Sequence, residues 1–247
     1  MAASLITGCS MRLESCSSNW ADTEPVRAPT LTTGTSLSEV SNPVIASEPR
    51  PRTEQAPPLP STLTDRQLAR RDSLIEAGLA LLETQEYERI QVKDVAEKAG
   101  VSLGTLYHYF SSKEHLFAEV LVRWASAFGP NVRRPSLAAE SPTERLVEVF
   151  HRALRAFQHQ PQMGRLVNVL LVSSDSFAVE LIGRLEQATV STYVDALAPM
   201  PPVAARPIVD VTNAVFGGAL REWSMGRMSI VEVYDRVTEA IHLLLDD

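Results

Sequence analysis

The chain has 247 residues, of which 45% are hydrophobic, and a formal net charge of -7 with a pI near 5.3. That length has room for one or two domains with a sizeable core, while the acidic balance excludes a protein that coats nucleic acid through bulk positive charge. The charge is unevenly placed, however: the three lysines, Lys93, Lys98 and Lys113, all fall in one short segment.

Both cysteines, Cys9 and Cys16, precede any segment able to form a core, so no staple is expected and a reducing cytoplasm is the natural compartment. The stretch Ile6-Thr7-Gly8-Cys9 has the look of a lipoprotein cleavage box, but no basic region and apolar run precede it. No apolar run approaches the roughly 18 residues that cross a bilayer, and no membrane partner is expected.

Residues 1–60 hold Pro25, Pro29, Pro43, Pro49, Pro51, Pro57, Pro58 and Pro60, many Ser and Thr, and no helical or strand period. Such a segment cannot bury enough surface to offset its ordering entropy. It reads as a disordered tail, or as translation from a start codon upstream of the true one. From Leu68 the pattern changes: Leu68, Ile75, Gly78, Leu79 and Leu82 recur at helical spacing, with Arg70, Arg71 and Asp72 expected on the polar side.

A second, two-turn helix follows, with Val92, Val95, Ala96 and Ala99 inward, stopped by Gly100. Ser102 is placed to cap a third helix ending near Phe110. Two short helices joined by a tight glycine turn make a helix-turn-helix over residues 91–110. Placing Leu106 inward at about 100° per residue turns Leu103, Tyr109 and Phe110 broadly toward the core and leaves Gly104 and His108 outward, flanked by Thr105 and Tyr107. That face offers hydroxyls, an imidazole and bare backbone, which suit a wet polyanion better than a core.

A fourth helix is expected to open on a capping box at Ser111-Ser112-Lys113-Glu114, to bury Phe117, Val120, Leu121, Trp124 and Phe128, and to end at Gly129-Pro130. Further apolar helical stretches are predicted at 142–159, 161–173, 175–198, 204–226 and 229–245. Two of them open on capping boxes, Ser141 to Glu144 and Ser229 to Glu232. No run reads as a strand, so the predicted fold class is all-α.

The run from Gly100 through Thr105-Leu106-Tyr107-His108-Tyr109-Phe110 to Lys113-Glu114-His115-Leu116, extended back to Val92-Lys93-Asp94-Val95-Ala96 and Ile75-Glu76-Ala77, resembles the recognition-helix signature of TetR-type regulators. Tyr109 departs from it, since His is more usual there. The resemblance implies an N-terminal three-helix DNA-binding domain, over 61–128, and a helical ligand-binding and dimerisation domain over 129–247. It implies DNA contacts from Lys93, Ser102, Leu103, Gly104, Thr105, Tyr107, His108, Tyr109 and Lys113. Of these, Thr105, Tyr107 and Lys113 would hold phosphates, and Gly104 and His108 would lie nearest the base edges.

In such proteins the second domain encloses a small-molecule pocket. Apolar candidates here are Trp124, Phe150, Leu154, Phe177 and Phe216, with Asn168, Ser173, Thr192 and Asn213 as polar groups able to orient a ligand. The last two helices would pair across a two-fold axis, with Gly217, Gly218, Ile230, Tyr234, Val237 and Ile241 as the interface. The region from Ile208-Val209-Asp210-Val211 through Trp223 to Leu243-Leu244-Leu245 also resembles the C-terminal domain of actinobacterial repressors of cholesterol catabolism, which implies a small apolar effector, steroid or acyl-CoA-like.

The implied function is a homodimeric, cytoplasmic transcription regulator, a repressor by family default, released from double-stranded operator DNA by its effector. An effector-independent dimeric DNA-binding protein is the alternative. A helical-bundle enzyme is disfavoured: the sequence holds no nucleophile elbow, zinc-protease pair or phosphate loop, and the five histidines, His108, His115, His151, His159 and His242, form no metal motif. No cofactor is expected.

Overall fold

The computed structural model describes residues 56–132 and 141–246; most of the expected tail, with both cysteines, lies outside them. Among the described residues all regular structure is helical. A short 3-10 turn at Pro60–Thr62 leads into α1 (Asp65–Leu82), and a second at Tyr87–Arg89 precedes α2 (Val92–Lys98), α3 (Leu103–Tyr109) and α4 (Lys113–Val132). The remaining helices are α5 (Pro142–His159), α6 (Pro161–Leu170), α7 (Ser176–Ala196), α8 (Pro202–Ser224) and α9 (Ile230–Leu245).

Local chemistry explains most of the boundaries. Capping boxes open α1 (Thr64, Gln67), α2 (Gln91, Asp94), α5 (Ser141, Glu144) and α9 (Ser229, Glu232), each satisfying backbone N–H groups that a helix start leaves orphaned. At α4 the expected box is displaced by one residue. Ser112, not Ser111, accepts from the backbone N–H of His115 at 2.9 Å, while the Ser111 backbone N–H donates to Nδ1 of His115 at 3.1 Å. Nor do Gly129 and Pro130 end the helix, which runs to Val132. A proline withholds one N–H from the ladder, a cost that a long packed helix can absorb near its end.

Two hydrophobic clusters fill the interior. The first joins Leu74, Ile75 and Leu82 of α1, Val95 of α2, Leu106 of α3 and Phe117, Val120 and Trp124 of α4. It also draws in Met163, Leu166 and Leu170 of α6 and Ala178 of α7, so the core beneath the helix-turn-helix extends into the helices that follow. The second joins Leu146, Phe150 and Leu154 of α5, Val190 and Tyr193 of α7, Val209 and Phe216 of α8, and Val233, Val237 and Ile241 of α9. Phe157 packs against both. Each large apolar side chain withdrawn from water contributes about 1.5–3 kcal/mol.

Two sequence expectations are corrected by this packing. Arg71 does not point to solvent: it is 7% exposed, ion-paired with Glu119 of α4, and lies over the Phe110 ring 5.1 Å from its centroid. The cation is buried because a carboxylate and an aromatic face replace its water. Val237 and Ile241 are 1% and 0% exposed and face α5 and α8 within the same chain, because the apolar stripe of α9 is consumed by its own subunit. They are therefore no part of an outward interface.

Candidate nucleic-acid interface

The turn between α2 and α3 is set by backbone hydrogen bonding. The Gly100 N–H donates to the Glu97 carbonyl at 3.0 Å and the Val101 N–H to the Ala96 carbonyl at 3.0 Å, the paired pattern of a Schellman stop. Gly100 has φ of 67°, a left-handed conformation that side chains with a Cβ resist. Ser102 then reverses the chain into α3: its Oγ accepts from the Thr105 N–H at 3.1 Å and lies 2.9 Å from Thr105 Oγ1.

Leu106 and Tyr109, at 0% and 3% exposure, pin α3 to the core, with Phe110 following at 0%. Tyr109 is thereby removed from the candidate DNA contacts: three residues beyond Leu106 it shares the inward face. Leu103, expected inward, is 43% exposed at the start of α3, where the helix has only just entered the core. Ser102, Gly104 and His108 are exposed, and Thr105 and Tyr107 are half-buried at the edges of the same face. His108 is steadied by edge-on contact with Tyr109, ring centroids 5.0 Å apart.

A Cβ at Gly104 would meet nothing nearer than Ser102 Oγ, at 3.9 Å. The fold therefore does not require glycine here, although a helical glycine costs up to about 1 kcal/mol relative to alanine. A flat spot that the chain itself does not use fits the close approach of an outside surface. Lys93 and Lys98 are exposed on α2, the helix packed against α3.

Lys113 stands differently. Its Nζ donates to the Tyr87 carbonyl oxygen at 2.6 Å and lies 4.0 Å from the centroid of the Tyr87 ring. Burial lowers its pKa, against the opposing pull of Glu114 and Glu88. The expected phosphate donor is thus turned into the protein, because a carbonyl and a π face lie within its reach. Arg66 and Arg70, which sequence reasoning did not single out for DNA, are exposed in the first turns of α1. Their signal was only their sign of charge.

The expected pocket residues divide by chemistry. Trp124 lies 4.9 Å from Phe157 by ring centroids, Phe157 6.3 Å from Phe216, Phe216 5.4 Å from Phe150, and Phe150 is stacked on Tyr193 at 4.1 Å. An aromatic ladder thus crosses α4, α5, α8 and α7, with Leu154 buried in the same cluster as Phe150. The polar candidates do not converge on it. Asn168 donates to Ser224 Oγ at 2.8 Å, Ser173 Oγ accepts from the Asp175 N–H, and Thr192 bonds back to the Ala188 carbonyl. Asn213 is half-buried, and Phe177 stacks on His115 instead, ring centroids 5.0 Å apart. Unforeseen from sequence is the indole Nε1 of Trp124, which is buried without a hydrogen-bond partner among the described residues.

Comparison with known proteins decides the family. Residues 74–120 match the model of bacterial regulatory proteins of the tetR family, and residues 139–244 match a tetracyclin repressor-like C-terminal domain. The HTH-type transcriptional repressor KstR of Mycobacterium tuberculosis is 30% identical over 185 residues, covering 74% of this chain and 84% of the relative. The chain belongs to the TetR family. The KstR of Mycolicibacterium smegmatis is likewise 30% identical, over 74% of this chain and 90% of its own length. A crystal structure of a TetR transcriptional regulator from Rhodococcus sp. RHA1 superposes with a TM-score of 0.64 at 28% identity, over 74% of this chain and 99% of that one. This TetR-family chain is a DNA-binding transcriptional regulator rather than an enzyme. Regulators of the family bind operator DNA and act as dimers. No described helix is long and apolar enough to cross a membrane.

Proposed function

We propose that this regulator is a cytoplasmic, homodimeric repressor that reads a two-fold operator with Gly104 and His108 of α3 and is released by a small apolar effector. The unused flat spot at Gly104, beside an exposed imidazole and flanked by hydroxyls, carries the reading of the DNA face. Lys93 and Ser102 supply phosphate contacts beside it, and Leu103 offers an apolar contact to a thymine methyl. Residues 61–128 serve as the reading head and residues 129–247 as the sensing and pairing part.

The effector reading rests on the aromatic ladder and on the orphaned Trp124 Nε1. A buried N–H without an acceptor costs stability, and a bound oxygen would recover it. A rigid apolar body carrying one carbonyl meets both demands, which favours a steroid ketone, with an acyl-CoA-like thioester as the related form. The relatives' names, transcriptional repressors from mycobacteria, agree with repression.

The dimer is assigned to the outward side of α8 and α9. Val203 and Val211 on α8 are 83% and 49% exposed, and Val231 and Leu243 on α9 are 61% and 77% exposed. A Cβ at Gly217 or Gly218 would meet nothing within 4 Å, so both leave room for another helix. Ile230 and Tyr234 are half-buried at the edge of this face.

Thermal denaturation with a steroid ketone tests the effector: a ligand that binds only the native state raises the midpoint. A rise that Trp124→Phe abolishes supports the reading. Unchanged midpoints across steroid ketones and acyl-CoA thioesters would leave an effector-independent regulator.

A further inference from the structure

One carboxylate ties two helix starts together. Oδ1 of Asp175 caps α7, accepting from the N–H groups of Phe177 at 3.0 Å and Ala178 at 2.9 Å. Oδ2 accepts from Ser111 Oγ at 2.9 Å, two residues after α3 ends. The Ser112 hydroxyl, which caps α4 by accepting from the His115 N–H at 2.9 Å, helps to hold the Asp175 carboxyl's pKa low. Partial burial works to raise this carboxyl's pKa, but the bonds from Ala178, Ser112 and Ser111, with His115 beside it, outweigh that and hold it low. The negative charge thus sits between the N-termini of α4 and α7, each of which favours an anion.

The rings around this junction are packed in series. His115 is 6% exposed, stacked on Phe177 with an interplanar angle of 13° and edge-on to Phe110 with centroids 5.3 Å apart. Phe110 is the C-terminal cap of α3 and lies beneath Arg71. Eighteen residues further along α7, roughly 27 Å at 1.5 Å per residue, Tyr193 stacks on Phe150 in the aromatic ladder.

We propose that Asp175 is a positioning residue for the recognition helix, a strut through which α7 fixes the angle of α3 and through which a shift of α7 in the sensing core reaches the DNA face. This rests on the DNA-reading role assigned above to α3. The strut works at one end by the hydrogen bond from Ser111 and at the other by the rigid length of α7. Its loss frees the α3–α4 turn without unfolding either helix.

Operator duplexes selected from a random library by the full chain provide the test, read by gel shift against a scrambled duplex. Asp175→Ser keeps a good cap for α7 but is too short to reach Ser111. It should lower operator affinity about tenfold and leave scrambled binding no weaker, so the ratio of the two falls. Asp175→Asn, which can cap α7 and still bond Ser111, should stay near the parent. With Ser111→Ala already present, Asp175→Ser should cost less than it does alone, as coupled groups require. An unchanged operator-to-scrambled ratio in Asp175→Ser, or fully additive losses, overturns the strut. If the parent enriches no sequence, the DNA-reading role fails instead. Amide exchange then judges the strut by itself: faster exchange from Leu106 to Leu116 in Asp175→Ser supports it, and unchanged exchange there overturns it.

Discussion

The ammonium of Lys113 rests on Tyr87, 2.6 Å from its carbonyl oxygen and 4.0 Å from the centroid of its ring, so the first turn of α4 is bolted to the short turn before α2. Tyr87 is in turn edge-on to Phe117, centroids 5.1 Å apart. The lysine serves the fold before it serves any ligand. Lys113→Ala should lower stability by about 1–2 kcal/mol, from one cation–π contact and one charged hydrogen bond, measured by urea denaturation. The salt slope of DNA binding should stay close to the parent's. A slope lower by about one unit would show that the lysine leaves Tyr87 for a phosphate.

His115 makes the junction between α4 and α7 sensitive to acid. Burial lowers its pKa from 6.5 to about 4, with Asp175 opposing and Arg71 assisting. In the unfolded chain the imidazole takes up a proton near pH 6.5, whereas the folded chain resists until about pH 4. Stability from this group is therefore full above pH 6.5 and lost as pH falls toward 4, by about 3 kcal/mol in all. Thermal midpoints followed from pH 7 to pH 4 should fall, and the fall should be shallower in His115→Phe. Parallel profiles for the two proteins would count against this.

The outward face of α3 can be altered without harm to the fold. Gly104→Ala adds a methyl that meets only Ser102 Oγ at 3.9 Å, so the thermal midpoint should hold or rise slightly. Operator affinity should drop at least about tenfold as the helix is held away from the groove. Retained affinity would show that α3 does not approach DNA closely at this point.

The inward side of α9 and the outward side of α8 should separate stability from assembly. Ile241→Ala removes a fully buried side chain and should cost about 2–5 kcal/mol with the dimer intact. On the outer side, Gly217→Leu should loosen the dimer in light scattering with little change in the monomer's helicity. A monomer from Ile241→Ala and an intact dimer from Gly217→Leu would reverse the assignment of faces.

What was legible in the sequence was chiefly what is local. Ser141 with Glu144, Ser229 with Glu232 and the stop at Gly100 each depend on residues within a few positions of one another, and each stands where the pattern put it. The stripe of α9 was legible as apolar, but its partner was not, because Val237 and Ile241 would look the same facing a second subunit or α5. Arg71 and Lys113 escaped for a related reason. Their charges suggest solvent or phosphate, and only the tertiary fold brings Phe110 with Glu119, or Tyr87, beneath them. The Asp175 strut joins residues 64 positions apart, a pairing no periodicity encodes. The aromatic ladder was half visible, in its rings but not in its unpartnered indole.

The most direct test of the account is selection of duplexes from a random-sequence library by the full chain, repeated with His108→Ala. A two-fold symmetric site is expected, its half-sites related by the spacing of two α3 helices, about one helical turn of DNA apart. With His108→Ala the preference at particular positions in each half-site should relax, at a cost of about 1–3 kcal/mol there, while the remaining positions are unchanged. Enrichment of the same sequence with undiminished preference in His108→Ala, or no enrichment by the parent chain, would contradict it.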